Sequence, residues 1–109
     1  MAENILEITS ENFETEVIES DTPVLLDFWA PWCGPCLMLT PVVEELASDF
    51  AGRARVAKLN VDEASDVAQR YNVGSIPTVL VFKGGQVVWS YTGVAEKQKF
   101  TEVLDEHIG

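Results

Sequence analysis

The run Val24 to Trp29 constrains this chain more than any other stretch. Its sequence, VLLDFW, lacks the alternation of polar and apolar residues that marks a strand with one face in water, so it reads as a strand covered on both faces. Such a strand needs helices above and below it. A chain of 109 residues that is 47% apolar can build one core of that kind and hardly two, so residues 1–109 read as a single α/β domain. The longest near-continuous apolar stretch, Pro23 to Trp32, is interrupted by Asp27 and falls short of the roughly 18 residues that a membrane span requires.

Other elements follow from periodicity. Ile5 to Ile8 reads as a first strand, and Ser10 as the N-cap of a helix that buries Phe13, Val17 and Ile18 and stops at Asp21, Thr22 and Pro23. After a turn at Ala30 to Trp32, Cys36, Leu39, Val43, Leu46, Ala47 and Phe50 recur at helical spacing, with Pro41 expected to bend that helix and Gly52 near its end. Arg55 to Val61 reads as a strand and Glu63 to Tyr71 as a helix with Ala64, Val67 and Ala68 inward. Thr78 to Phe82 and Gln86 to Tyr91 form a hairpin through Lys83, Gly84 and Gly85, and Glu96 to Ile108 is an amphipathic helix burying Phe100, Val103 and Leu104. The order βαβαβαββα predicts a central mixed sheet flanked by helices, with no repeat, low-complexity tract or linker.

Charge excludes several functions. Eighteen acidic residues against seven basic give a net charge of −11, which repels phosphate backbones and anionic lipid, so neither nucleic acid nor membrane is an expected partner. All seven basic residues lie beyond residue 52. Met1 to Ser10 lacks the basic start and apolar stretch of a secretory signal, so the chain as written is expected to stay inside the cell. Reducing conditions there favour a catalytic or metal-binding role for the two cysteines over a structural disulfide.

Those cysteines, Cys33 and Cys36, flank Gly34 and Pro35 where the buried strand gives way to a helix. Three residues along a helix is about one turn, so both sulfurs lie on one side of the helix start and can close a disulfide with little backbone motion. Cys33 faces the unpaired amides and positive dipole end, which favour thiolate over thiol. It is the expected nucleophile, with Cys36 one turn deeper acting second. Asp27, the lone acid of an apolar strand, is a candidate proton acceptor because an unpaired buried carboxyl ionises nearer neutral pH. An exposed strand-end position for Asp27, or a solvated edge for Lys58, is the alternative.

The segment FWAPWCGPC from Phe28 to Cys36 resembles the active-site signature of the thioredoxin family. Asp27, the KLNVD run from Lys58 to Asp62, the IPT at Ile76 to Thr78 with the glycine hairpin after it, and Gly93 match in the same order across the whole chain. The resemblance implies a thioredoxin fold, a mixed five-stranded sheet with four helices. It also implies a dithiol reductant in which Cys33 attacks a client disulfide, a mixed disulfide forms, and Cys36 displaces the product. Asp27 would deprotonate Cys36 with Lys58 as its partner. A cis Ile76–Pro77 bond would face the cysteines, the Ile76 backbone would bind extended substrate, and Trp32, Gly34, Pro35, Ile76, Gly93 and Val94 would rim an apolar contact surface. The implied partners are a thioredoxin reductase drawing on NADPH or ferredoxin and client proteins with reducible disulfides. No bound cofactor, a monomeric state and a cytoplasmic location are expected.

One departure is Leu37, which stands directly after the second cysteine where the family usually carries Lys or Arg. Thiolate stabilisation then rests on the helix terminus, helped at most by Lys58. Leu37 widens an apolar docking patch or packs against a preferred partner. Phe28 reads as core, Trp29 as mixed, Trp89 as structural, and His107 as a surface residue stabilising the last helix end. Three rivals differ in observable ways. An oxidant or isomerase on the same fold would show a different equilibrium with glutathione, and such proteins more often carry a histidine between the cysteines. A zinc site wants four ligands, and this chain has two cysteines and one distant histidine. An accessory binding module would keep its cellular role without Cys33 and Cys36.

Overall fold

A computed structural model describes residues 5–108. Five strands form one sheet: β1 (Ile5–Ile8), β2 (Val24–Trp29), β3 (Arg55–Asn60), β4 (Thr78–Lys83) and β5 (Gln86–Thr92), in the order β1-β3-β2-β4-β5. β3 pairs in parallel with both β1 and β2, whereas β4 runs antiparallel to β2 and β5. The sheet is mixed, as expected, and β2 occupies its centre, which is why its sequence shows no alternation.

The sheet divides the core into two apolar layers on its opposite faces, and strand alternation decides which residue joins which. Val24, Leu26 and Phe28 of β2 pack with Phe13, Val17, Leu59, Ala64, Val67, Leu80 and Phe82. This layer holds a short π-helix, Glu14–Ile18, and helix α2, Ser65–Arg70. Leu25 packs on the other side with Val56, Val79 and Val81 under α1 (Gly34–Asp49) and α3 (Lys97–His107). Asp27 and Trp29 follow Leu25 by twos, so they face α1.

Helix α1 buries Cys36, Leu39, Val43, Leu46 and Ala47, runs through Pro41, and ends at Asp49 with Phe50 as its C-cap. Lys97 of α3 ties to it through Glu45 and Asp49, at 3.1 and 2.9 Å. At the hairpin, Gly84 and Gly85 both have positive φ, 59° and 80°, as a two-residue turn of this hand requires. A Cβ on Gly85 would stand 3.1 Å from the Ile18 carbonyl oxygen, so this turn also needs a glycine to close on the π-helix.

Boundaries differ from expectation in one instructive place. Ser10 is not an N-cap: the π-helix begins at Glu14 with no side-chain cap, and the Ser10 hydroxyl instead donates to Asp66 at the start of α2. Thr9 and Asn12 take the local capping role, exchanging side-chain to backbone hydrogen bonds of 2.7 and 3.3 Å that tighten the turn before Phe13. Elsewhere β3 ends at Asn60 rather than Val61, and α2 is shorter than the expected Glu63 to Tyr71.

Candidate active site

Cys33 is the N-cap of α1, with extended backbone (φ −91°, ψ 108°), and Pro35 sits inside the first turn where a missing amide costs nothing. Its sulfur accepts the amide of Cys36 at 3.2 Å. That is the place an N-cap serine or aspartate oxygen would occupy, so negative charge on this sulfur meets both an amide donor and the helix dipole. Cys33 and Cys36 form a disulfide with Cα atoms 5.2 Å apart. Cys33 is 5% exposed and Cys36 1%, the order expected of an attacking and a deeper thiol.

The Ile76–Pro77 bond is cis, as the resemblance implied. The Ile76 carbonyl oxygen lies 3.8 Å from the Cys33 sulfur, placed to accept the thiol proton in the reduced protein. Gly93 donates its amide to the Pro77 carbonyl at 2.8 Å, so the segment after β5 joins the same corner. Around it Trp32, Gly34, Pro35 and Val94 are exposed, Ile76 and Gly93 half-buried, and Pro77 buried. Trp32 is 70% exposed yet tethered, its indole N–H donating to Asp62 at 2.9 Å. Along the sequence Asp62 stands out only as the last residue of the KLNVD run. The usable signal was an acid just past the end of β3, because parallel β2 and β3 bring their C-terminal ends side by side.

Asp27 is buried, 4% exposed, which removes the strand-end alternative. Burial pushes its carboxyl up to about 7, and the Lys58 charge opposes that rise only in part. Lys58 stands directly opposite on β3 but makes no ion pair with Asp27 within 4.0 Å among the described residues; its ammonium lies 4.6 Å over the Trp29 ring. A cavity of about 60 Å³ under α1 is lined by both residues, with Trp29, Thr40 and Glu44. Trp29 also packs against the Ala30, Cys33 and Cys36 cluster, while Phe28 is core. Trp89 packs edge-on against Phe100, and His107 hydrogen-bonds the Val103 carbonyl in its own last turn. Among the described residues no group of three or more His, Cys, Asp or Glu is arranged to hold a metal, and no helix is long and apolar enough to cross a membrane.

Leu37 is 52% exposed on the first turn of α1, so the site carries no cation where one would reinforce the dipole. Leu37→Lys is expected to lower the Cys33 pKa, by about half a unit given solvent screening. Alkylation rate against pH measures this, and an unmoved midpoint refutes it.

Comparison with known proteins agrees with this geometry. The family model described as Thioredoxin matches residues 4–106. "Thioredoxin" of Chlorobaculum thiosulfatiphilum is 53% identical over 103 residues, covering 94% of this chain and 95% of that protein. "Thioredoxin 2" of Chlorobaculum tepidum is 51% identical over 109 residues and the full length of both, and "Thioredoxin 1" of Nostoc sp. is 47% identical over 94% of this chain and 95% of its own. Likeness of that extent, in a chain whose two cysteines close a disulfide at a helix mouth, means that this protein belongs to the thioredoxin family and is a thiol-disulfide oxidoreductase with protein-disulfide reductase activity.

Proposed function

We propose that the protein is a small electron carrier in which Cys33 is the nucleophile, Cys36 the resolving thiol and Asp27 the base that serves Cys36. The observation that carries this reading is the Cys36 amide pointing at the Cys33 sulfur, since a donor fixed there favours the thiolate before any client arrives. The Cys33 thiolate attacks one sulfur of a client disulfide. That S–S bond breaks, and the departing client sulfur takes a proton from solvent. Cys36 then gives its proton to Asp27 and attacks the Cys33 sulfur. The Cys33–client S–S bond breaks, the second client sulfur leaves as a thiolate and is protonated from solvent, Asp27 gives up its proton, and the Cys33–Cys36 disulfide remains.

With its carboxyl ionising at about 7, Asp27 is both an acceptor and a releaser of protons near neutral pH. Lys58 moderates that value from the opposite strand. Pro77 and the Ile76 backbone would align an extended client segment beside Cys33, while Trp32, Gly34, Pro35, Gly93 and Val94 supply the surrounding contact. Restoring the dithiol takes two electrons, which a thioredoxin reductase fed by NADPH or ferredoxin would supply. The reading requires no bound cofactor or metal and a monomer working in the cytoplasm.

Cys36→Ser tests it. This variant is expected to stop after the first exchange and accumulate a mixed disulfide through Cys33, seen as a client-mass adduct that dithiothreitol removes. An adduct that instead forms on Cys36 of the Cys33→Ser variant, at equal rate, reverses the assignment.

A further inference from the structure

Two buried polar atoms beside the redox helix have no hydrogen-bond partner among the described residues, Oδ1 of Asp27 and Nε1 of Trp29. One accepts and the other donates, and their residues lie two apart on the same face of β2. Both residues line the cavity of about 60 Å³ under α1, which exceeds the roughly 15 Å³ that one water needs. A buried donor and a buried acceptor on one cavity wall call for something that satisfies both.

Thr40 supplies a third polar contact. It lines the same cavity, and its hydroxyl donates to the Cys36 carbonyl at 3.3 Å, so its lone pairs are left to accept. We propose that Thr40 is a positioning residue for Asp27, its hydroxyl and the Trp29 indole holding a water molecule against the Asp27 carboxylate. The hydrogen-bond count closes. The water accepts from the Trp29 N–H, donates one hydrogen to Asp27 Oδ1 and donates the other to Thr40 Oγ1, the three partners typical of a buried water. Because Thr40 is itself tied to the Cys36 carbonyl, the water is registered to the helical turn that carries the resolving cysteine.

The other charged groups on this cavity are Lys58 from β3, Glu44 from α1 and Glu7 from β1. Glu7 is exposed, and Lys58 and Glu44 are half-buried, so the wall they form leads from the buried carboxyl to solvent and gives its proton a way out. A hydrogen bond to the charged form favours it, so the water works against the desolvation that raises Asp27. This inference rests on Asp27 being the acid-base group of the proposed mechanism.

The test is a carboxyl-carbon NMR titration of Asp27 in the oxidised wild type, Thr40→Val and Thr40→Ser. Valine keeps the shape of threonine and removes the hydroxyl; serine restores it. The midpoint is expected to be raised in the wild type, about one pH unit higher than that in Thr40→Val, and within a few tenths of the wild-type value in Thr40→Ser. The optimum of disulfide reduction should move upward with it. One and the same raised midpoint in all three proteins overturns the role of Thr40 and leaves the role of Asp27 standing. A wild-type midpoint in the ordinary carboxylate range removes both. A high-resolution crystal structure of the wild type provides a check that needs no variant: a water within hydrogen-bond reach of Asp27 Oδ1, Trp29 Nε1 and Thr40 Oγ1 supports the proposal, and a cavity without one refutes it.

Discussion

Asp27→Asn is expected to make the oxidised protein more stable by about 4 kcal/mol at pH 8 and to leave its stability at pH 4 nearly unchanged. In the unfolded chain this carboxyl ionises at the ordinary 3.8, and in the folded protein at about 7. Below 3.8 both states hold the proton, and burial of the neutral acid carries no ionisation penalty. As pH rises from there the unfolded state gains the charge first, and native stability falls until the folded carboxyl ionises as well. A rise from 3.8 to about 7 corresponds to roughly 4 kcal/mol, reached in full above pH 7. Asparagine has nearly the same shape and never ionises, so it escapes this loss. Urea unfolding at several pH values reads the difference directly. An equal gain at pH 4 and pH 8 would show that packing, not ionisation, is responsible. The same variant should slow release of the client from the mixed disulfide, because no base then receives the Cys36 proton. A residue that lowers stability while speeding one chemical step is placed for function.

Cys33→Ser is expected to bring turnover in a coupled assay with thioredoxin reductase, NADPH and insulin to background, a loss of at least about 10³-fold. A serine hydroxyl does not ionise near neutral pH and forms no disulfide, so the first exchange has no nucleophile. The loss should not come from unfolding. Serine is a preferred N-cap and can accept the same Cys36 amide that the sulfur accepts now. Circular dichroism of this variant should therefore match that of the reduced wild type. Turnover that survives the substitution would place the attacking group elsewhere.

Much of the architecture was legible because the relevant signals are local. The bounds of β1 and β2 coincide with the expected ones, since each is a short apolar run ended by polar or turn residues. Gly84 and Gly85 announced the hairpin because few other residues tolerate positive φ at both positions. Ser10 shows where local reading stops. Its pattern suited a cap, but its hydroxyl bonds Asp66, 56 residues away, and no window along the chain contains both. The bond between Trp32 and Asp62, 30 residues apart, lies beyond local reading for the same reason. Thr40 looked like an unremarked helix residue because nothing in its neighbourhood along the chain points to a cavity shared with Asp27.

The chain by itself determined the list of elements, the centrality of the VLLDFW strand and the pair of sulfurs one turn apart at a helix start, because these depend on residue type and spacing. Only the tertiary structure decided that β3 inserts between β1 and β2, which puts Lys58 across from Asp27 and closes α1 over both. A lone acid in an apolar strand already points to a raised carboxyl at Asp27, and the extent of the shift follows from that closure. It is a desolvation effect, and desolvation depends on which segments cover the carboxyl from above and beside it, something strand spacing does not encode.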